Sequence, residues 1–349
     1  MNGMTKTLSN RYDVVVIGGG AAGLSGALTL TRARRSVLVI DAGEPRNAPA
    51  AHLHGFLSRD GAAPSELLAN GRREVTGYGG EIVSGVVTSA RREEAGGFRL
   101  TLADGRVTTA RRLLVTTGLT DELPDLPGLA ELWGTDVIHC PYCHGWEVRD
   151  QPIGVLSTGP MAIHQAQLFR QWSDDVVLFG HTGPEPTETE HRALTARGIR
   201  FVAGQVERLE TENGRLHAVR MVDGSTVERR ALVVAPRFTA RVGPLAELGL
   251  TAVPLQLNDF RLGSRLTADP TGRTEVPGVW VAGNVTDLMA QLIAAAASGV
   301  TAAAAINGDL IDEEVATALR AADNPFSAAA EAALNAQVQG DRRHGLTVG

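Results

Sequence analysis

The sequence predicts an α/β protein built from two Rossmann-like nucleotide-binding domains, each a three-layer ββα unit, the second inserted into the first. Three observations carry that expectation. A glycine fingerprint stands between a β-branched strand and a helix near residue 20, a weak copy of that unit recurs 139 residues later, and a strand ending in glycine near residue 283 returns the chain to the first unit.

Residues 13–17 form a short β-branched run followed at once by Gly18-Gly19-Gly20-Ala21-Ala22-Gly23, after which Leu24, Ala27, Leu28 and Leu30 fall at helical spacing. This reads as strand, tight turn, helix. In such a unit the first glycine, Gly18, permits the turn. The second, Gly20, lets the backbone approach a pyrophosphate, and the third, Gly23, packs helix on strand. The helix N-terminus at Ala21 and Ala22 favours the phosphate charge. A second strand at 37–40 ends in Asp41, 18 positions past the last glycine, where a carboxylate can accept a ribose hydroxyl. Shifting the chain by 139 residues places Gly20 on Gly159, Gly23 on Ala162, Leu38-Val39-Ile40 on Val177-Leu178-Phe179 and Asp41 on Gly180.

Between the two copies, Leu113-Leu114-Val115-Thr116-Thr117-Gly118 reads as a buried strand running into a turn, and the proline-rich stretch 123–129 reads as a hinge. Residues 235–244 carry the chain back out, and Val279-Trp280-Val281-Ala282-Gly283-Asn284 is a further strand ahead of an alanine-rich helix. The expected domains are therefore 1–122 with 244–315, an insertion at 123–243, and a C-terminal helical arm at 316–349.

The net charge of −6 offers no field for nucleic acid or an anionic membrane. Lys6 is the only lysine, which excludes a lysine Schiff base and the phosphate-binding lysine of a P-loop from any folded site. No secretory signal is visible before the first strand, so a cytoplasmic protein is expected. The apolar stretch 288–306 is dominated by alanine and interrupted by Gln291, Ser298 and Thr301, and it reads as a buried helix.

The two cysteines, Cys140 and Cys143, form Cys-Pro-Tyr-Cys, a spacing that lets a thiol pair cycle between dithiol and disulfide. Three other readings stand beside it. Zinc needs two further ligands from His139, His144, His52 or His54. Cys-Pro-Tyr-Cys-His matches the c-type haem attachment pattern, which goes with export. A purely structural pair is the third. No metal site is expected. A redox pair combined with a nucleotide fold points to electron transfer between a disulfide and a two-electron carrier, for which a flavin is the natural choice.

The order Gly18 to Gly23, Thr116-Thr117-Gly118, Cys140 to Cys143, and Gly283-Asn284 followed by the helix through Gln291 resembles the low-molecular-weight thioredoxin reductases over residues 11 to 310. That resemblance implies FAD held by the N- and C-terminal segments, a disulfide in the inserted domain, and a homodimer. It places Cys143 toward the flavin and Cys140 toward substrate. Val87, Thr117, Gly118, Gly283 and Asn284 are implied to line the cofactor site, with Arg46 and Asn47 reaching the adenosine or pyrophosphate. A helix starting near Asp287 is expected to point its positive end, with Gln291 and Leu292, at the flavin.

Departures from the family pattern refine the reading. Ser157 stands where a first glycine belongs, Pro160 removes a backbone N–H from the second phosphate turn, and no arginine follows residue 180 before Arg192. A 2′-phosphate lacks its charged fork, which puts NADPH use in doubt. His144 replaces the usual acid after the CxxC, either to take the proton of an incoming thiol or merely to cap the next helix. Asn284 replaces an aspartate, with an amide still able to accept and donate. Cys-Pro-Tyr-Cys-His-Gly-Trp-Glu resembles the motif of a subgroup that oxidises small dithiols with oxygen, as in gliotoxin and holomycin biosynthesis. The expected activity is accordingly FAD-dependent oxidation of a small-molecule dithiol by O2. The alternatives are an NAD(P)H-dependent reductase of a thioredoxin-like partner, and a non-catalytic FAD-binding redox sensor.

Overall fold

The structure, a computed structural model, describes residues 11–257, 259–323 and 328–339. Its first sheet gathers β1 (Arg11–Ile17), β2 (Val37–Asp41), β3 (Glu81–Ser84), β4 (Val87–Arg92), β5 (Phe98–Leu102) and β6 (Val107–Val115) in the order β3-β2-β1-β6-β5-β4. The late strand Val279–Val281 pairs in parallel with the end of β6. Helix α1 (Ala21–Arg32) follows β1 after the Gly18–Gly20 turn, and α2 (Pro64–Gly77) leads into β3.

β7 (Leu119–Glu122) leaves this sheet for a second one. There β8 (Val137–Ile138), β9 (Ile153–Leu156), β10 (Val176–Phe179), β11 (Arg200–Val202) and a strand at Ala231–Val233 lie wholly parallel, in the order β11, β10, β9, Ala231–Val233, β8. The two sheets are thus built alike. In each, the first strand of the repeat sits centrally with the second and third stepping out on one side; on the other side lies a later strand, followed in the second sheet by the earlier strand β8. All four residues of both β9 and β10 are buried, as parallel strands covered on both faces must be. The helix after β9, Ala162–Phe169, begins two residues later than the copy predicts, since Ala21 corresponds to Pro160. Proline disfavours helical backbone in the residue before it and brings no N–H.

The two crossings between the units are not loose. The returning strand Arg237–Ala240 pairs antiparallel with β7 and parallel with Phe260–Arg265, whose hairpin partner is Val253–Leu257. This small four-stranded sheet bridges the two larger ones.

The late helix Leu292–Asp323 is continuous through residue 315, so the arm expected at 316–349 begins inside it. Of that arm, Ala328–Gln339 is a further helix, and 324–327 and 340–349 lie outside the described residues. By length and composition Leu292–Asp323 could cross a membrane, but its stripe of Ala295, Gly299, Ala302, Ala303, Ile306 and Leu310 is buried within the protein. The stripe packs on α1 so closely that a Cβ on Gly299 would lie 2.0 Å from the Ala22 carbonyl oxygen. At the far end Arg112 binds Asp309 at 2.5 Å, and Arg111 binds Glu313 at 2.9 Å, fastening the helix to β6.

Two glycines of this one helix are expected to respond in opposite directions. Gly299→Val should lower stability by roughly 1–3 kcal/mol or more, because the contact is with backbone that cannot yield. Gly308, with nothing within 4 Å of an added Cβ, should as Gly308→Ala gain about 0.5–1 kcal/mol. Thermal and denaturant unfolding of the two variants measures both signs.

Candidate functional site

In an open parallel sheet, ligands gather where strands end at their carboxyl edge, beside the point at which strand order reverses. Here β1 ends in Gly18, Gly19 and Gly20, β6 ends in Thr116, Thr117 and Gly118, and the late strand ends in Ala282, Gly283 and Asn284. The carboxyl end of β8 delivers His139 and Cys140. All of these line one continuous cleft of about 1550 Å³, so the carboxyl ends of the parallel strands in the two sheets open onto the same space.

Gly18 has φ +109°, and its carbonyl accepts the Thr116 hydroxyl at 2.8 Å. Gly23 does not line the cleft. Its bare backbone faces Gly18, where a Cβ would stand 2.0 Å from the Gly18 oxygen, so it holds helix against strand. Gly20 caps α1 without a side-chain hydrogen bond and has open space where a Cβ would project. Unsatisfied N–H groups at Ala21 and Ala22 therefore open onto the cleft, which fits a pyrophosphate. Asp41 stands opposite. Its carboxylate accepts the Gly19 N–H at 3.1 Å and Arg72 at 2.5 Å, two partners that sequence reading did not name. Thr117 donates to the Arg241 carbonyl at 2.6 Å and the Gly118 carbonyl accepts the Arg241 N–H at 3.0 Å, tying the end of β6 to the bridging sheet.

Val87 and Asn47 also line the cleft. Arg46 reaches into it with its guanidinium engaged twice by Asp121, at 2.7 Å each, and stacked 5.2 Å from the Phe238 ring centre. In this arrangement it braces the bridging sheet.

The helix expected from Asp287 starts instead at Leu292, with Gln291 just ahead of it. Asn284 accounts for the delay. Its Nδ2 donates to the carbonyls of Asp287 and Ala290, at 3.0 Å each, and holds those residues in a turn. Both amide hydrogens are thus engaged, leaving Oδ1 as an acceptor. An aspartate could not make either bond.

Cys140 and Cys143 are joined by a disulfide across a Cα–Cα distance of 5.2 Å. Pro141 starts the single helical turn Pro141–His144, which Cys140 caps, and the Cys140 sulfur accepts the Cys143 N–H at 3.2 Å. His144 is the last residue of this turn rather than the cap of another helix. It is half-buried and lines the cleft. Burial lowers its pKa, with Glu147 opposing and His54 adding to the effect. Its Nδ1 is buried without a hydrogen-bond partner among the described residues. His139 also carries a pKa lowered by burial. Its Nδ1–H donates to the Val234 carbonyl at 3.1 Å, and its ring meets Phe238 edge-on at 5.1 Å.

His54 was named in the sequence only as a conceivable zinc ligand. It comes from the first domain, yet its Nε2 lies 3.3 Å from Glu147 of the insertion and its Nδ1 3.4 Å from Asp60. No local pattern marks it, because its place beside the disulfide is created by the docking of one domain on the other.

Residues 12–299 match the model for pyridine nucleotide-disulphide oxidoreductases. The chain belongs to that family. It is a flavin-dependent, thioredoxin reductase-like disulfide oxidoreductase whose redox pair is Cys140 and Cys143. It is 34% identical over 287 residues to thioredoxin reductase tcpT of Claviceps purpurea, spanning 79% of this chain and 87% of the relative. It is 31% identical to thioredoxin reductase aclD of Aspergillus oryzae, over 78% of this chain and 88% of that one. Among solved structures, HlmI superposes with a TM-score of 0.84 at 49% identity, over 93% of this chain and all (100%) of that one.

Asn284→Asp is expected to free the turn that precedes the late helix. Hydrogen exchange at Ala290 and through the first turn of that helix should accelerate by about tenfold or more, reflecting the loss of roughly 1–3 kcal/mol of local stability, while exchange in β9 and β10 stays unchanged.

Proposed function

We propose that this protein is an FAD-dependent oxidase that converts a small-molecule dithiol to a disulfide and passes the electrons to O2. The observation that carries the reading is the shared cleft. Open N–H groups at Ala21 and Ala22, with Asp41, form a cradle for the adenosine and pyrophosphate of FAD at one end, and Cys140–Cys143 opens onto the same space at the other. Gly283, Asn284, Gln291 and Leu292 are the residues that would border the flavin ring. The resemblance of Cys-Pro-Tyr-Cys-His-Gly-Trp-Glu to the small-dithiol oxidases supports the substrate class, and the altered second turn at Ser157 and Pro160 supports dithiol rather than NADPH as electron source.

The protein's own residues account for the thiol chemistry. Neutral His144 takes the proton of one substrate thiol. The thiolate attacks the Cys140 sulfur and displaces Cys143 as thiolate, leaving a mixed disulfide between substrate and Cys140. The second substrate thiol, its proton passed to solvent, attacks the substrate sulfur and expels Cys140, whose thiolate is stabilised by the Cys143 N–H. The product leaves as a disulfide and the cysteine pair remains reduced. Bound in the cleft, a flavin supplies the two-electron acceptor that restores the pair and the route to oxygen.

Cys143→Ser is expected to abolish oxygen uptake with a dithiol such as dithiothreitol while the protein stays yellow; retained turnover would overturn the mechanism. Fast anaerobic bleaching of the flavin by NADPH, with none by dithiol, would instead support the reductase that the relatives' names describe.

The lowered pKa of His144 has a kinetic sign. The neutral base persists to more acidic pH than an ordinary imidazole, so kcat/KM should hold through neutrality and fall only as pH drops below the usual histidine range. His144→Phe is expected to reduce turnover by about 10²–10⁴ and to leave a rate that climbs with pH toward the substrate thiol's own ionisation. A pH profile of both proteins decides it.

A further inference from the structure

In the second unit, the counterpart of the dinucleotide turn is Ser157-Thr158-Gly159, at the carboxyl end of β9. A second nucleotide would bring its pyrophosphate to this turn. The ring of Phe260 lies over it. A Cβ built on Gly159 would lie 2.3 Å from Cζ of Phe260 and 2.7 Å from both of its Cε atoms, so the aromatic ring rests directly on the bare Gly159 backbone.

The ring does not come from the second unit. Phe260 opens the strand Phe260–Arg265 of the bridging sheet, which pairs with Arg237–Ala240 at Phe238↔Gly263 and Thr239↔Ser264. Its position over Gly159 is therefore set by the same sheet that carries the chain between the domains.

The first residue of the turn is braced from the other side. The Gly183 N–H donates to the Ser157 carbonyl at 2.8 Å, and a Cβ on Gly183 would meet the Ser157 hydroxyl at 2.0 Å, so the loop after β10 folds onto the first residue of the turn. The His181 Nδ1 accepts the Val206 N–H at 3.3 Å and is directed into the protein. Pro160 offers no N–H.

We propose that Phe260 is a specificity-determining residue: its ring covers the Gly159 turn and keeps nicotinamide dinucleotides off the second unit. This deepens the dithiol-oxidase reading and rests on it, because a protein closed to hydride donors at this turn takes its reducing equivalents as substrate dithiol. The residue is a steric guard on the bridging sheet, and its bulk rather than its aromaticity is what excludes the ligand.

The test is binding, not turnover. Holoprotein, with Phe260→Ala, Phe260→Ser and the bulk-keeping Phe260→Leu, is titrated with NADPH and with NADH by calorimetry. The native protein and Phe260→Leu are expected to show no saturable binding up to about 1 mM, and the two truncations to bind at least about tenfold more tightly than that limit. Two truncations guard against one that fails to fold. Saturable binding by the native protein, or truncations that stay as inert as it is, would overturn the proposal. Oxygen uptake with dithiothreitol, run on the native protein without nucleotide, reports separately on the oxidase reading, so either idea can fail alone.

Discussion

Everything functional in this molecule depends on the parallel strands of two sheets presenting their carboxyl ends to one cleft. The dinucleotide turn after β1 and the disulfide after β8 are separated by more than a hundred residues, yet each is the direct continuation of a buried strand. Buried parallel strands leave little freedom at their ends, so the placement of the reactive groups is inherited from two hydrophobic cores. The bridging sheet then sets the relation between those cores, since β7 and Arg237–Ala240 are hydrogen-bonded to each other along their length.

Two imidazoles stand beside the disulfide in the cleft. His139 and His144 flank the pair, both kept toward their neutral forms by burial. Neutral imidazoles suit the proton transfers of the proposed dithiol oxidation. His54 adds a contact from the opposite domain through Glu147, so the protein surface beside the disulfide belongs to both units.

Much of this was legible in the residues. The fingerprint at Gly18 to Gly23, the shifted copy at Gly159 and the buried strands around them are local patterns, and the structure has them in both units. Cys140 and Cys143 were legible because their spacing alone brings two sulfurs together. The start of the late helix was misread, since Asn284 binds the carbonyls of Asp287 and Ala290 and postpones it to Leu292. Arg46 and Asp41 line the cleft, but the partners they hold, Asp121 and Arg72, are 75 and 31 residues away and left no trace in the pattern.

By itself the sequence determined which segments become strands and helices, which turn can approach a phosphate and which two thiols can bond, because each of these is settled within one or two turns of chain by periodicity, glycine and spacing. The tertiary structure alone decided that His54 stands beside Glu147, that Phe260 lies on Gly159, and that turn and disulfide open onto one space. Those contacts join distant residues through the docking of two rigid cores, and no short-range pattern encodes the angle at which they meet.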